Sequence, residues 1–396
     1  MSGFPSAGIV RSRASRNPPM PADGERSQSA GECHRLGSYE VVRKLATGGM
    51  GEVYLAHQTG PVGFRREVVL KTLHRHHMKD PQFVAMFLNE AKIAASLAHP
   101  NIIHTYELFE DDGYVIAMEY VRGATVLSLI GALHDAGHDA LPYGPMVRIA
   151  TSVCEALHYA YNELDGDGGP RRVIHRDISP SNVIVGYDGQ VKLVDFGIAK
   201  VLGARGDTQT ATIKGKGGYL APEQIRCQPL DQRSDLFSLG TLMWEMSVGR
   251  RLFQRDSDVQ MMYAILEDRL PLPSEYVPDY PKDLEYVVMK ALARVRDDRY
   301  ASAGALAHDL GIVAQRHGWD QERSPLAELV TDLVPNEHAA FVRSGSPPTA
   351  CSFAPKLESE PARATPWLAT GTLVTVSVLL ALSAVFWLWI APAIGV

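Results

Sequence analysis

Several short runs in this 396-residue chain set phosphate-handling residue types in a fixed order. His175-Arg176-Asp177 is followed by Asn182 and then by Asp195-Phe196-Gly197. Carboxylates and an amide at such intervals supply hard oxygen ligands and a proton acceptor, which Mg2+-assisted phosphoryl transfer requires. Upstream, Leu45-Ala46-Thr47-Gly48-Gly49-Met50-Gly51-Glu52-Val53 lies between two predicted strands. Glycines there let backbone N–H groups approach phosphate oxygens with no Cβ in the way, although the run alone fits a plain hairpin turn equally well. Val68-Val69-Leu70-Lys71 ends an apolar strand in a lysine, and a charge in that place needs a partner or a ligand. Glu90 follows 19 residues later on the inner face of a predicted helix. An ion pair between the two would hold the ammonium against nucleotide phosphates. Ala221-Pro222-Glu223 comes 24 residues after Gly197.

The elements that must position these groups are legible from periodicity. Short β-rich runs are predicted at 39–45, 53–57, 68–73, 105–110 and 114–120, with a helix over 82–97 that turns Phe83, Phe87, Ala91 and Ala94 to one face. Helical patterns dominate after Thr125. Strands first and helices later predict an α+β fold, a small β-rich lobe followed by a larger α-rich one. Hydrophobic content of 45% and charged content of 21% exclude wholesale disorder. A formal net charge of -6 argues against a nucleic-acid partner and against a polybasic membrane binder. The four cysteines lie far apart with no CxxC spacing, which argues against a disulfide framework or structural zinc.

The flanks differ in composition. Residues 1–38 are rich in Ser, Pro, Gly and Arg and read as a flexible leader with no signal peptide. Residues 314–366 read as a juxtamembrane linker. From Ala364 to Val396 there is no charged side chain, and 367–391 is expected to form one transmembrane helix, leaving 392–396 as a short external tail. Trp367 and Trp389 suit the two membrane interfaces, and Lys356 and Arg363 before the span predict a cytoplasmic N-terminal part. The expected location is therefore a bacterial inner membrane, single-pass. Gly371, Ser377, Ala381 and Ala384 leave room for a homodimer through the span.

Taken in order, the motifs resemble those of the eukaryotic-like (Hanks-type) protein kinases, most closely the bacterial serine/threonine kinases, over about 39–313. The resemblance implies the two-lobe protein kinase fold, with an N-lobe over about 39–121 and a C-lobe over about 122–313. It implies ATP and Mg2+ as cofactors, with Mn2+ able to substitute, and proteins as substrates. Gly48 and Gly51 would shape the loop over the phosphates, while Val53 and Ile184 would pack against the adenine. Lys71 would hold the α- and β-phosphates and pair with Glu90. Met118 stands at the gatekeeper position, and the backbone of Glu119 and Val121 would meet the adenine edge. Asp177 would accept or orient the substrate hydroxyl proton, and Asn182 and Asp195 would hold the metal ions. Asp235 resembles the buried anchor of the catalytic loop, and Glu223 with Arg299 a structural ion pair. Thr208 and Thr210 are marked as phosphorylation sites able to pair with Arg176.

Four positions depart from the family pattern: Ala46, Val69, Ser179 and Lys216. Ser179 stands where serine/threonine kinases usually carry a lysine, and Lys216 where they usually carry a threonine. A lysine exchanged between these positions would restore positive charge to the transferred phosphoryl group. His74, His76 and His77, between a strand and a helix, are expected to form a solvated loop rather than a metal site. The expected function is an ATP-dependent serine/threonine protein kinase acting in signal transduction, which autophosphorylates the loop carrying Thr208 and Thr210. The alternative is a pseudokinase or scaffold that binds nucleotide without turnover.

Overall fold

The computed structural model describes residues 35–164, 168–196, 217–319 and 322–335. The chain enters through β1 (Arg35–Leu36), which turns at Gly37 and pairs with β2 (Tyr39–Thr47). Gly37 takes φ +56°, a left-handed conformation that favours glycine. The end of the expected leader is thus drawn into the sheet by backbone pairing that side-chain composition does not reveal.

β3 (Gly51–Thr59) and β4 (Arg65–Leu73) pair antiparallel without interruption from Gly51↔Leu73 to Thr59↔Arg65. β5 (Thr105–Glu110) and β6 (Tyr114–Glu119) complete a six-stranded sheet in the order β1-β2-β3-β4-β6-β5. α1 (Pro81–Ser96) starts where its sequence signals put it. The Asp80 side chain accepts from Gln82 N at 2.9 Å, and Pro81 lacks a donor at a position where none is needed. Phe87 and Ala91 are buried against Leu73 of β4 and Ile116 of β6, so one helical face lies on the sheet.

The C-lobe opens with β7 (Gly123–Thr125), α2 (Val126–Asp135) and α3 (Tyr143–Asn162). β8 (Val183–Gly186) and β9 (Val191–Leu193) form a hairpin in a three-stranded sheet ordered β7-β8-β9. This hairpin meets the segment after α1, where Leu193 N donates to Asn101 O at 2.8 Å and Ile103 N to Leu193 O at 3.0 Å. The helices α4 (Pro222–Ile225), α5 (Gln232–Val248), α6 (Asp258–Leu266), α7 (Lys282–Ala291) and α8 (Ala303–His317) follow. α5 is buried on every side from Ser234 to Val248 and forms the centre of this lobe. It stops at Gly249, φ +73°, where a Cβ would meet Asp139 O at 1.8 Å.

Past the expected domain boundary at 313 the chain stays folded. α8 continues to His317, and α9 (Ser324–Leu333) packs against α2, α3 and β8. Leu326 and Val330 are buried there, with Leu329 and Leu333 beside them. Averaged composition over 314–366 obscures this i, i+3, i+4, i+7 stripe, which is the signature of an amphipathic helix. The Tyr187 hydroxyl donates to Val334 O at 2.8 Å and closes the end of the helix onto the lobe. Among the described residues no helix is long and apolar enough to cross a membrane. The expected span at 367–391, the tail at 392–396 and residues 1–34 lie outside them.

Candidate active site

Lys71, near the end of β4, is nearly buried, and two carboxylates converge on it. Its Nζ lies 2.6 Å from Glu90 Oε1 and 2.8 Å from Asp195 Oδ1. Glu90 stands on the buried face of α1, with Phe87 one turn earlier fixing that face to the sheet. Burial works against the Lys71 charge, but Asp195 and then Glu90 outweigh it, so the ammonium is held above its ordinary range. Burial pushes the Glu90 carboxyl up, the Lys71 charge opposing and the nearby Asp195 and Asp177 adding to the rise. Two carboxylates on one ammonium, with Asp177 close enough to act on Glu90, leave the cleft short of positive charge.

The β8–β9 hairpin places the remaining groups. Asn182 immediately precedes β8, and Val194 N, immediately after β9, donates to Asn182 O at 3.0 Å. The Asn182 Nδ2 donates to Asp177 O and to Asp177 Oδ2, both at 2.9 Å. With the amide nitrogen committed to Asp177, the amide oxygen is the atom Asn182 can present to a cation. That oxygen and the Asp195 carboxylate are hard donors of the kind Mg2+ takes, and the surplus of negative charge fits a divalent ion. Asp195 sits at φ +56° and Arg176 at φ +68°, conformations that non-glycine residues hold only when the surroundings impose them.

Those surroundings are specific. Asp235 near the start of α5 accepts His175 N and Arg176 N, each at 2.7 Å, which fixes the backbone just before Asp177. Burial pushes the Asp235 carboxyl up to about 7 although both donors favour its charge. His175 donates from Nε2 to Val194 O at 3.0 Å and accepts Asp177 N on Nδ1 at 3.2 Å, so it is held as one neutral tautomer. Its ring packs on Phe196, centroids 4.7 Å apart. Arg299 grips Glu223 through two bonds of 2.7 and 2.9 Å, both side chains buried.

The residues expected on the nucleotide side lie on both sheets. Met118 faces a cavity of about 20 Å³ with Glu90, Ala94, Ile103 and Phe196, room for about one water. Val53 pairs with Lys71 across β3 and β4, Val69 with Met118 across β4 and β6, and Ala46 with Val53 across β2 and β3. Ile184 pairs with Thr125 and Lys192 in the small sheet. Glu119 N donates to His104 O at 2.8 Å, and Val121 follows two residues on, between β6 and β7. Leu45, Thr47 and Glu52 lie on β2 and β3 around the glycine-rich turn, where Gly48 N donates to Gly51 O at 2.8 Å. At Gly51 a Cβ would stand 1.7 Å from Thr72 O, so glycine is required by the approach of β4. Gly197, Thr208, Thr210 and Lys216 lie outside the described residues. A polar cavity of about 550 Å³ beside Glu223, lined by Arg226, Arg233, Arg294 and Asp297, contains none of the phosphate-handling groups.

Some contacts carry no signal in residue spacing. Lys192 Nζ donates to Glu119 Oε2 at 2.9 Å and ties the small sheet to the segment joining the lobes. Tyr219 and Glu245, both buried, form a triad with the half-buried Arg251, in which Tyr219 OH donates to Glu245 Oε2 at 2.5 Å. His74 and His77, expected in a solvated loop, are instead bonded to the glycine-rich turn through Gly48 O and Gly49 O. Sequence places these groups far apart, and only strand pairing brings them together. Among the described residues no group of three or more His, Cys, Asp and Glu side chains is arranged to hold a metal ion by itself, so a cation in the cleft would rest on Asp195 together with the Asn182 amide oxygen.

Comparison with known proteins agrees with this geometry. The family described as "Protein kinase domain" matches residues 39–310. The chain is 42% identical over 285 residues to the tyrosine-protein kinase MasK of Myxococcus xanthus, covering 71% of this chain and 44% of that protein. It is 36% identical over 288 residues to the serine/threonine-protein kinase PknB of Mycolicibacterium smegmatis, covering 70% of this chain and 43% of the relative. With PrkC of Bacillus subtilis it shares 32% identity over 296 residues, 74% of this chain and 43% of PrkC. The matched region thus spans less than half the length of these relatives. A crystal structure of the PknI kinase domain of Mycobacterium tuberculosis superposes with a TM-score of 0.55 at 28% identity, covering 73% of this chain and 100% of that one.

Proposed function

The chain belongs to the protein kinase family, and from that premise we propose that it moves the ATP γ-phosphate to serine and threonine hydroxyls of proteins. The observation that carries the reading is Lys71 held between Glu90 and Asp195 at 2.6 and 2.8 Å, within one cleft with Asp177 and Asn182. Lys71 binds the α- and β-phosphates, and Glu90 keeps its ammonium aimed. Asp177, its carboxylate oriented by Asn182, takes the substrate hydroxyl proton as the oxygen attacks. Asn182 and Asp195 would hold Mg2+, which would supply positive charge against the phosphates. Met118, beside the small cavity, and the apolar Val53 offer the base apolar contact.

The named relatives include both a tyrosine kinase and serine/threonine kinases, and Ser179 favours a second reading, tyrosine transfer. Ser179 is buried, its hydroxyl 3.1 Å from that of Ser181, so it offers no charge to a phosphoryl group. Phosphoamino-acid analysis of a generic protein substrate, with Asp177→Asn as the inactive control, separates the readings. Phosphoserine and phosphothreonine support the first, and phosphotyrosine alone overturns it.

Further parts of the same proposal concern residues beyond the described ones. Thr208 and Thr210 are the autophosphorylation sites, and Arg176 is their partner. Its Nε is buried without a hydrogen-bond partner among the described residues, a place for a phosphate oxygen. Peptide mapping of the active chain should find both threonines modified; an unmodified loop in active protein ends this part. Lys216 supplies the charge that Ser179 lacks, so Lys216→Ala should cut turnover about 100-fold with ATP affinity kept. Equal turnover would remove it from the mechanism. The apolar segment 367–391 anchors the enzyme in a membrane with the catalytic lobes on the cytoplasmic side, and sedimentation of the chain with membranes after carbonate washing tests this. Recovery in the supernatant would count against it.

A further inference from the structure

The turn between β4 and α1 carries His74, His76 and His77 as neighbouring rings, with centroids 5.1 Å apart for His74–His76 and 4.0 Å for His76–His77. His74 Nε2 lies 2.9 Å from Gly48 O, and His77 Nε2 lies 3.0 Å from Gly49 O. A carbonyl oxygen only accepts, so each ring bears a proton on Nε2. The backbone N–H of His74 donates to the next carbonyl, Met50 O, at 2.9 Å. Three consecutive carbonyls of the glycine-rich turn are therefore engaged by one short segment.

The consequence for the opposite side of the turn follows from peptide geometry. In a trans peptide the C=O and the N–H point in opposite directions. Drawing Gly48 O and Gly49 O toward the imidazoles turns the N–H groups of Gly49 and Met50 away from them. Successive N–H groups aimed together make a concavity suited to phosphate oxygens. Packing does not impose this arrangement, since a Cβ at Gly49 would meet nothing within 4 Å.

The segment is itself braced. His77 stacks on Phe83 of α1, with centroids 4.0 Å apart and planes 22° from parallel. Phe83 precedes Glu90 by seven residues, about two helical turns, so both lie on one side of α1. A continuous line of contacts runs from the helix that positions Lys71 to the tip of the turn.

We propose that His74 and His77 are positioning residues that clasp the glycine-rich turn and couple its closure over the nucleotide phosphates to the placement of α1. The proposal rests on the reading that this turn binds ATP. It is tested on the full chain with the double variants His74→Leu/His77→Leu and His74→Gln/His77→Gln, and with His76→Leu as a control. Glutamine keeps a side-chain N–H donor at similar reach, whereas leucine keeps only bulk. Measured are KM for ATP, kcat, and the Kd of a fluorescent ATP analogue with Mg2+. The leucine pair should raise KM and Kd about tenfold, the scale of two lost hydrogen bonds. At saturating ATP its kcat should stay within about twofold, since ground-state and transition-state binding are lost together. The glutamine pair should recover most of the affinity, and His76→Leu should leave it unchanged. Should the leucine pair unfold, His77→Leu alone is read against His77→Gln by the same constants. An active wild type with an unaffected leucine pair, or a glutamine pair no better than leucine, overturns the clasp alone. A wild-type chain that neither binds the analogue nor turns over overturns the ATP reading, and the clasp with it.

Discussion

Lys71 has two anionic partners in a nearly buried place, and this pairing explains why it stays charged. Removing Glu90 leaves Asp195 as its remaining partner in the triad and frees the ammonium to swing. Glu90→Gln should therefore weaken turnover more than nucleotide binding, as steady-state kinetics would register. Asp177→Asn keeps an oxygen for Asn182 but loses the proton acceptor, so kcat should fall by about 10²–10⁴ with the Kd of an ATP analogue unchanged. A preserved kcat would remove Asp177 from the chemistry. Asp235 supplies a pH test. Its carboxyl is raised to about 7 in the fold, against about 3.9 in an unfolded chain. Between those values the folded protein holds a proton that the unfolded chain has released. The stability it contributes is complete below about pH 3.9 and is lost as pH rises through about 7. Asp235→Asn should flatten that slope in thermal unfolding midpoints while lowering the whole curve, because Asn offers one acceptor to two backbone donors. An undiminished slope would show that another group titrates.

At the scale of elements, the ends of α1, α4 and α5 do most of the positioning. Glu223 on α4 is gripped by Arg299, and Ser234 at the start of α5 donates to Glu223 at 2.7 Å, so two helices and the loop before α8 share one buried charge pair. Burial raises the Glu223 carboxyl, but bonding to Arg299 outweighs this and holds it below its ordinary range. The stabilisation is present above the ordinary glutamate range and is lost as pH falls through the lowered folded value. Arg299→Ala strands a buried carboxylate and should cost about 3–5 kcal/mol, read as a shift in urea midpoint at pH 7. A shift below about 1 kcal/mol, the worth of an exposed pair, would show that solvent reaches Glu223. At α1 the positioning was legible in the sequence itself. The Asp80-Pro81 start of α1 and its apolar face are local signals, which is why the helix expected at 82–97 is found at Pro81–Ser96. The strand expected at 53–57 runs instead from Gly51 to Thr59, because pairing with β4 extends order past the residues whose own types favour it.

For the molecule as a whole, the folded catalytic region reaches beyond the 39–310 match, since α9 buries Leu326 and Val330 against the C-lobe. A chain ending after Pro335 should unfold like the longer protein in its catalytic region. One ending after Gly318 should lose about 3–6 kcal/mol as an upper bound for two buried aliphatic side chains. Equal urea midpoints for the two truncations would show that α9 adds nothing. The bond from the Tyr187 hydroxyl to Val334 O joins the end of α9 to the residue that follows β8.

The identities and order of Lys71, Glu90, Asp177, Asn182 and Asp195 were readable from the chain, because phosphoryl transfer admits few residue types and local signals place each on a strand, a helix or a turn. Glu223 with Arg299 and the Asp235 anchor were readable only through the family resemblance. The clasp of His74 and His77 on Gly48 and Gly49, the link from Lys192 to Glu119 and the docking of α9 were decided by the tertiary structure. Each depends on the register between strands or on which face of a helix finds a surface. Contacts of that kind form between residues that sequence separates and packing joins.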